Sequence, residues 1–131
     1  MDRYLFKAKR LDNGEWVTGS LITCEDGTCK IATSCLEGKA DEPILVCAYD
    51  VDRDTICQCT GLKDKNGKLI WENDIVKINN SKVNTLITFR DFEIICTIPN
   101  EKYYKHRLEY DTEYEVIGNK FDNPELLESE E

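Results

Sequence analysis

The chain has 131 residues and a mass of 15.1 kDa, enough for one domain or two small units sharing a core. Its 26 acids against 17 bases give a net charge of −9, and six Tyr, four Phe and two Trp remain to build a core. No apolar run nears the roughly 18–20 residues of a membrane helix, the start at Met1–Lys7 holds no apolar stretch of signal-peptide length, and a pI near 4.7 argues against binding by phosphate neutralisation.

Val, Ile and Thr number 28 against 15 for Ala plus Leu, a balance that favours strands. Tyr4–Ala8 is the first expected strand, closed by Asp12-Asn13-Gly14. Glu15–Thr23 is the second, with Trp16 and Leu21 expected to face inward, and Cys29–Thr33 is expected to pair with it across Glu25-Asp26-Gly27. Cys35–Glu42 reads as a surface loop, Ile44–Tyr49 as a buried strand and Asp50–Asp54 as a turn. Thr55–Leu62 and Lys68–Val76 flank Lys63-Asp64-Lys65-Asn66-Gly67, whose Asn-Gly pair tolerates the positive φ of a hairpin turn. Strands are expected at Lys82–Phe89, Phe92–Ile98 and Glu115–Phe121. Tyr103–Tyr114 fits neither the helical nor the strand period. Asn123-Pro124 opens a short helical turn, and the segment 122–131 carries five acids and no base.

Seven cysteines, an odd number, make a disulfide framework a poor reading; cysteine as a small hydrophobe is the simpler one. Cys24, Cys29 and Cys35 lack the two-residue knuckle spacing of a zinc site. Cys57 and Cys59 share one strand face and could ligate a metal, but no metal is expected. His106, the only histidine, sits between Lys105 and Arg107 with nothing marking a thiol partner, so no catalytic residue is assigned. Glu72 and Asp74 are explained by turn chemistry before acid–base work. Gly-rich phosphate loops are absent, and no cofactor is expected. Lys63, Lys65 and Lys68 cluster at the hairpin beside Trp71, but Asp64 and Glu72 interleave with them; a solvated turn and a core Trp explain them better than nucleic acid does.

The run Gln58-Cys59-Thr60-Gly61-Leu62-Lys63-Asp64-Lys65-Asn66-Gly67-Lys68-Leu69-Ile70-Trp71-Glu72-Asn73-Asp74-Ile75-Val76 resembles the central signature of the YopX family of phage and prophage proteins. Trp16-Val17 with Gly19 looks like its early aromatic strand, and Val116-Ile117-Gly118-Asn119 through Asn123-Pro124-Glu125-Leu126-Leu127 like its closing motif. Asn73 stands where the family usually has Gly, and Asn is the next most tolerant residue at positive φ, so a left-handed kink is expected between Glu72 and Asp74. Stretches 24–43 and 100–112 align with no motif.

The resemblance implies a mostly-β fold: a small antiparallel barrel, SH3-like in the C-terminal half, with an N-terminal β segment and a short C-terminal helical turn. It implies a single domain over 1–131, divisible into 1–50, 51–121 and an acidic tail at 122–131. Its shared residues Thr60, Gly61, Leu62, Asp64, Asn66, Gly67, Glu72, Asp74, Gly118 and Asn119 read as fold determinants. Thr60-Gly61-Leu62 is expected to end a strand. No enzymatic activity follows, and the location implied is a bacterial cytoplasm. The expected role is a non-catalytic accessory protein that makes protein–protein contacts, with self-association one form of them. An acidic DNA mimic that blocks a host nucleic-acid enzyme and weak nucleic-acid binding by the barrel are the alternatives. The first is weakened because residues 1–121 hold 21 acids against 17 bases, so much of the acidity is in the tail.

Overall fold

The computed structural model describes residues 5–34, 46–79, 81–90, 93–97, 106–107 and 112–128. They form two compact units, 1–58 and 59–131. The strands make two antiparallel sheets.

In the first unit, β1 (Phe6–Lys9), β2 (Trp16–Thr23), β3 (Cys29–Ser34) and β4 (Val46–Val51) are hydrogen-bonded in the order β4-β3-β2-β1. β2 divides its pairing: residues 16–19 face β1 and residues 20–23 face β3. Gly19 stands at the changeover, where a Cβ would lie 2.1 Å from the Ala32 carbonyl oxygen, so only glycine fits. The core joins Ala8, Cys29, Ile31 and Val51, with Phe6, Val17, Leu21 and Ile56 packed on it. Arg10 bridges back to Val51. After Asp52, whose carboxylate accepts from the Asp54 amide at 3.0 Å, a 3₁₀ turn runs Arg53–Thr55. The buried Thr55 hydroxyl donates to the Asp52 carbonyl and accepts from the Lys9 amide.

Two expectations for this unit fail. Leu21 packs on the core, but Trp16, next to the inward Val17, is on the opposite face, where the Lys7 and Lys9 ammonium groups lie 4.7 and 5.4 Å from its ring centroid. Strand β4 is not buried: Val46, Ala48 and Asp50 are exposed, and only Val51 is enclosed. Cys35–Glu42, and Ile44 with Leu45 of the predicted strand, lie outside the described residues.

β5 (Cys57–Lys63) begins in the first unit and continues in the second, where it pairs with β6 (Leu69–Trp71). β7 (Asp74–Ile78), β8 (Thr85–Arg90), β9 (Glu93–Thr97), β10 (His106–Arg107) and β11 (Tyr114–Asn119) form a sheet in the order β10-β9-β8-β7-β11. Its core joins Ile70, Val76, Ile87, Cys96 and Tyr114, with Leu62, Ile78, Ile94 and Val116 packed against it. Ile75 and Val76 are adjacent and both fully buried, so β7 is covered on both faces. The predicted strand Lys68–Val76 is two strands, β6 and β7, separated by Glu72-Asn73. The helical turn expected after Asn123 is a 3₁₀ turn, Pro124–Leu127.

The expected mostly-β fold is present, but among the described residues neither sheet closes into a barrel. The predicted turn at Asp91, the strand ends Phe92 and Ile98, and most of Tyr103–Tyr114 lie outside the described residues.

Candidate functional site

The motif residues lie in the second unit, where Asp64 and its hairpin reach the outer edge of β11. An edge strand presents main-chain N–H and C=O groups that no neighbouring strand satisfies. Here the β5–β6 hairpin supplies the partners. Asp64 is buried, and its Oδ1 accepts from the amides of Asn66 and Lys68, both at 2.9 Å, which closes the turn. Its Oδ2 accepts from the Val116 amide at 3.0 Å, and the Lys65 amide donates to the Tyr114 carbonyl at 2.8 Å. One carboxylate thus shapes the hairpin and takes the place of a strand beside β11. Burial works to raise its pKa, but the Val116, Lys68 and Asn66 amides and the Lys68 charge outweigh that and hold it below the ordinary value. Gly67, at φ +81°, completes the turn that the Asn-Gly pair predicts.

Thr60-Gly61-Leu62 lies inside β5, not at its end. Cys59 pairs with Trp71 and Lys63 with Leu69, so three residues of β5 stand opposite one of β6. Gly61 takes up this bulge at φ +82°. The buried Thr60 hydroxyl donates to the Ile70 carbonyl at 2.7 Å and accepts from the Leu62 amide at 3.1 Å, which ties the bulge to β6.

The Glu72-Asn73-Asp74 corner follows the same logic. The buried Asp74 carboxylate accepts from the Trp71 amide at 2.8 Å. Asn73 has φ +72°, the left-handed kink expected of it. Its amide donates to Ile87 of β8, and its carbonyl accepts from Lys120 just beyond β11. At the far end of β11, a bulge between Val116 and Gly118 precedes a side-chain knot. The Asn119 Oδ1 accepts from the amides of Phe121 and Asp122, while the Asn123 Oδ1 accepts from the Asn119 amide. A Cβ on Gly118 would lie 2.6 Å from that Asn123 oxygen, which explains a glycine there. Asn123 and Asn84, whose Nδ2 donates to the Leu126 carbonyl at 2.8 Å, complete the support of the last turn. Sequence alone singles out neither asparagine for this role, because their partners are main-chain atoms set by the fold.

Lys63, Lys65 and Lys68 are exposed at the hairpin, with Lys65 3.5 Å from Glu115, and Trp71 is buried as expected. Cys57 and Cys59 are buried thiols outside any disulfide; the first donates to the Thr55 carbonyl, and the second lies 4.0 Å from the Ile70 carbonyl. Among the described residues no three His, Cys, Asp or Glu side chains are grouped to hold a metal ion. His106 pairs with Cys96 through the β10–β9 ladder, and its side chain lies outside the described residues. Cys47 corrects the free-thiol reading, since it is disulfide-bonded. Among the described residues no helix is long and apolar enough to cross a membrane.

A search of curated proteins found no match. The family model described as "YopX protein" matches residues 5–128, covering both units and every motif above, and the chain belongs to the YopX family.

Proposed function

We propose that the protein is a non-catalytic phage or prophage accessory protein that works in the bacterial cytoplasm through protein–protein contacts. One observation carries this reading: the buried polar atoms of the motif are spent on the main chain. Asp64 accepts three amides, Asp74 accepts the Trp71 amide, and Thr60 both donates and accepts, all within the second unit. A carboxylate held by three N–H donors is a weak base at neutral pH, so Asp64 suits support better than proton transfer. The succession β7-β8-β9, with β11 returning beside β7, supports placing the second unit with SH3-like folds in an open form.

The test is the mass of the purified chain in solution, together with capture from host lysate and reconstitution of whatever is captured. A defined oligomer or a reconstituted stoichiometric complex is the expected result. A strict monomer that retains no protein overturns the reading. A basic nucleic-acid enzyme captured with steep salt dependence would favour the DNA-mimic alternative, and a gel shift at low salt would favour nucleic acid.

A further inference from the structure

The protein-contact reading leaves open which surface meets the partner, and the first unit offers a cleft of about 630 Å³. It lies between the β2–β3 turn and the segment from the end of β4 to Arg53, and Leu11 forms one wall. Its apolar part comes from the buried Val51 and Cys29 and from Leu11, which is 67% exposed for a side chain of its size. Its charged lining does not cancel. Lys30 is committed to Asp50 at 2.5 Å. Asp26 uses Oδ1 for the Thr28 amide and hydroxyl, and Asp52 uses Oδ1 for the Asp54 amide. Among the described residues, the second oxygen of each accepts no hydrogen bond. Arg53 spends one N–H on the Gly27 carbonyl at 3.4 Å, and Lys30 also attracts Asp26, so among the described residues the lining sets three carboxylates, Asp26, Asp50 and Asp52, against two cations, Lys30 and Arg53.

We infer that this cleft docks a Lys or Arg side chain of a partner protein, its aliphatic stem along Leu11 and Val51 and its charge between Asp26 and Asp52. The inference rests on the protein-contact reading and adds the surface and the partner's chemistry. A long basic side chain fits both halves of the lining at once: its methylenes cover apolar surface while its head meets the surplus carboxylate. An acidic side chain would meet that surplus as repulsion.

The test titrates the full chain with an acetylated Leu-Arg-Leu peptide amide and its Leu-Glu-Leu counterpart, followed by backbone amide shifts. Shifts at Gly27, Thr28, Asp52 and Arg53 are expected with the Arg peptide only. The double variant Asp26→Asn, Asp52→Asn keeps both Asn-compatible turns, and its amide spectrum reports that it is folded. It should bind about tenfold more weakly, a few-fold for each rim charge. Leu11→Ala should weaken binding without restoring the Glu peptide. No shifts, shifts elsewhere, equal response to both peptides, or unchanged binding by the double variant overturns the inference. So do concentration-dependent shifts at the cleft without peptide, which would place a second copy there. Mass and capture measured on the same preparations separate the two failures: a chain that still assembles or captures a partner through another face loses the cleft and keeps the protein-contact reading.

Discussion

The Asp64 carboxylate accepts from the Val116 amide at 3.0 Å, across 52 residues of sequence. It stands where a further strand would stand, and the same side chain closes the hairpin turn through Asn66 and Lys68. Hairpin and sheet edge are therefore held by one buried group, so a change there should be felt at both.

The first consequence is a dependence on pH. Because Asp64 is held below the ordinary Asp value of 3.8, its contribution is present above that value and is lost as pH falls through the folded-state pKa. Urea midpoints measured from pH 7 down to pH 2.5 should fall at the acid end. The fall should be smaller in Asp64→Asn, which cannot lose that proton-linked contribution.

Glycine substitutions should separate close approach from backbone conformation. Gly19→Ala sets a Cβ against the Ala32 carbonyl and should cost about 3 kcal/mol or more, because main chain must move. Gly67→Ala meets no atom within 4 Å and should cost only about 1 kcal/mol, the strain of φ +81°. Denaturant unfolding of the two variants checks the order.

Asn73 offers a test of the corner. At φ +72°, Asn73→Ala should destabilise by about 1 kcal/mol, with Asn73→Gly the better tolerated of the two. Equal midpoints would show that the kink does not set the residue type.

Alkylation followed by peptide mapping should sort the thiols. Cys24 is half-buried and should react in the native protein, whereas Cys29, Cys57, Cys59 and Cys96 are buried and should react only after unfolding. At Cys96 burial also pushes the pKa up to about 12, which keeps the reactive thiolate scarce in the native state. Cys47 should react only after reduction, and its disulfide is a bond that a reducing cytoplasm would open.

Local chemistry was the legible part of this fold. The Asn66-Gly67 turn and the kink at Asn73 are both found, but in the turn only Gly67 takes the positive φ that the pair was expected to supply, and Asn66 does not. The face that a strand buries was harder to read: alternation fixes two faces in β2 but not which one meets the core, and Trp16 is on the outer one. The break between β6 and β7 hid within an apolar run because both sides of the corner are buried. The Asp64–Val116 and Asn119–Asn123 contacts were invisible because their partners are main-chain amides, which carry no residue signature. The cleft of the first unit depends on side chains from three separate segments, so no single motif announces it.

The central claim is that the polar residues of the family motif hold the second unit together. Asp64→Asn tests it most directly, by its unfolding free energy at pH 7 together with hydrogen exchange at the Val116 amide. A loss of about 1–3 kcal/mol, with faster exchange at Val116, is the predicted result. Unchanged stability with unchanged protection of Val116 would contradict it and would return Asp64 to the residues available for binding.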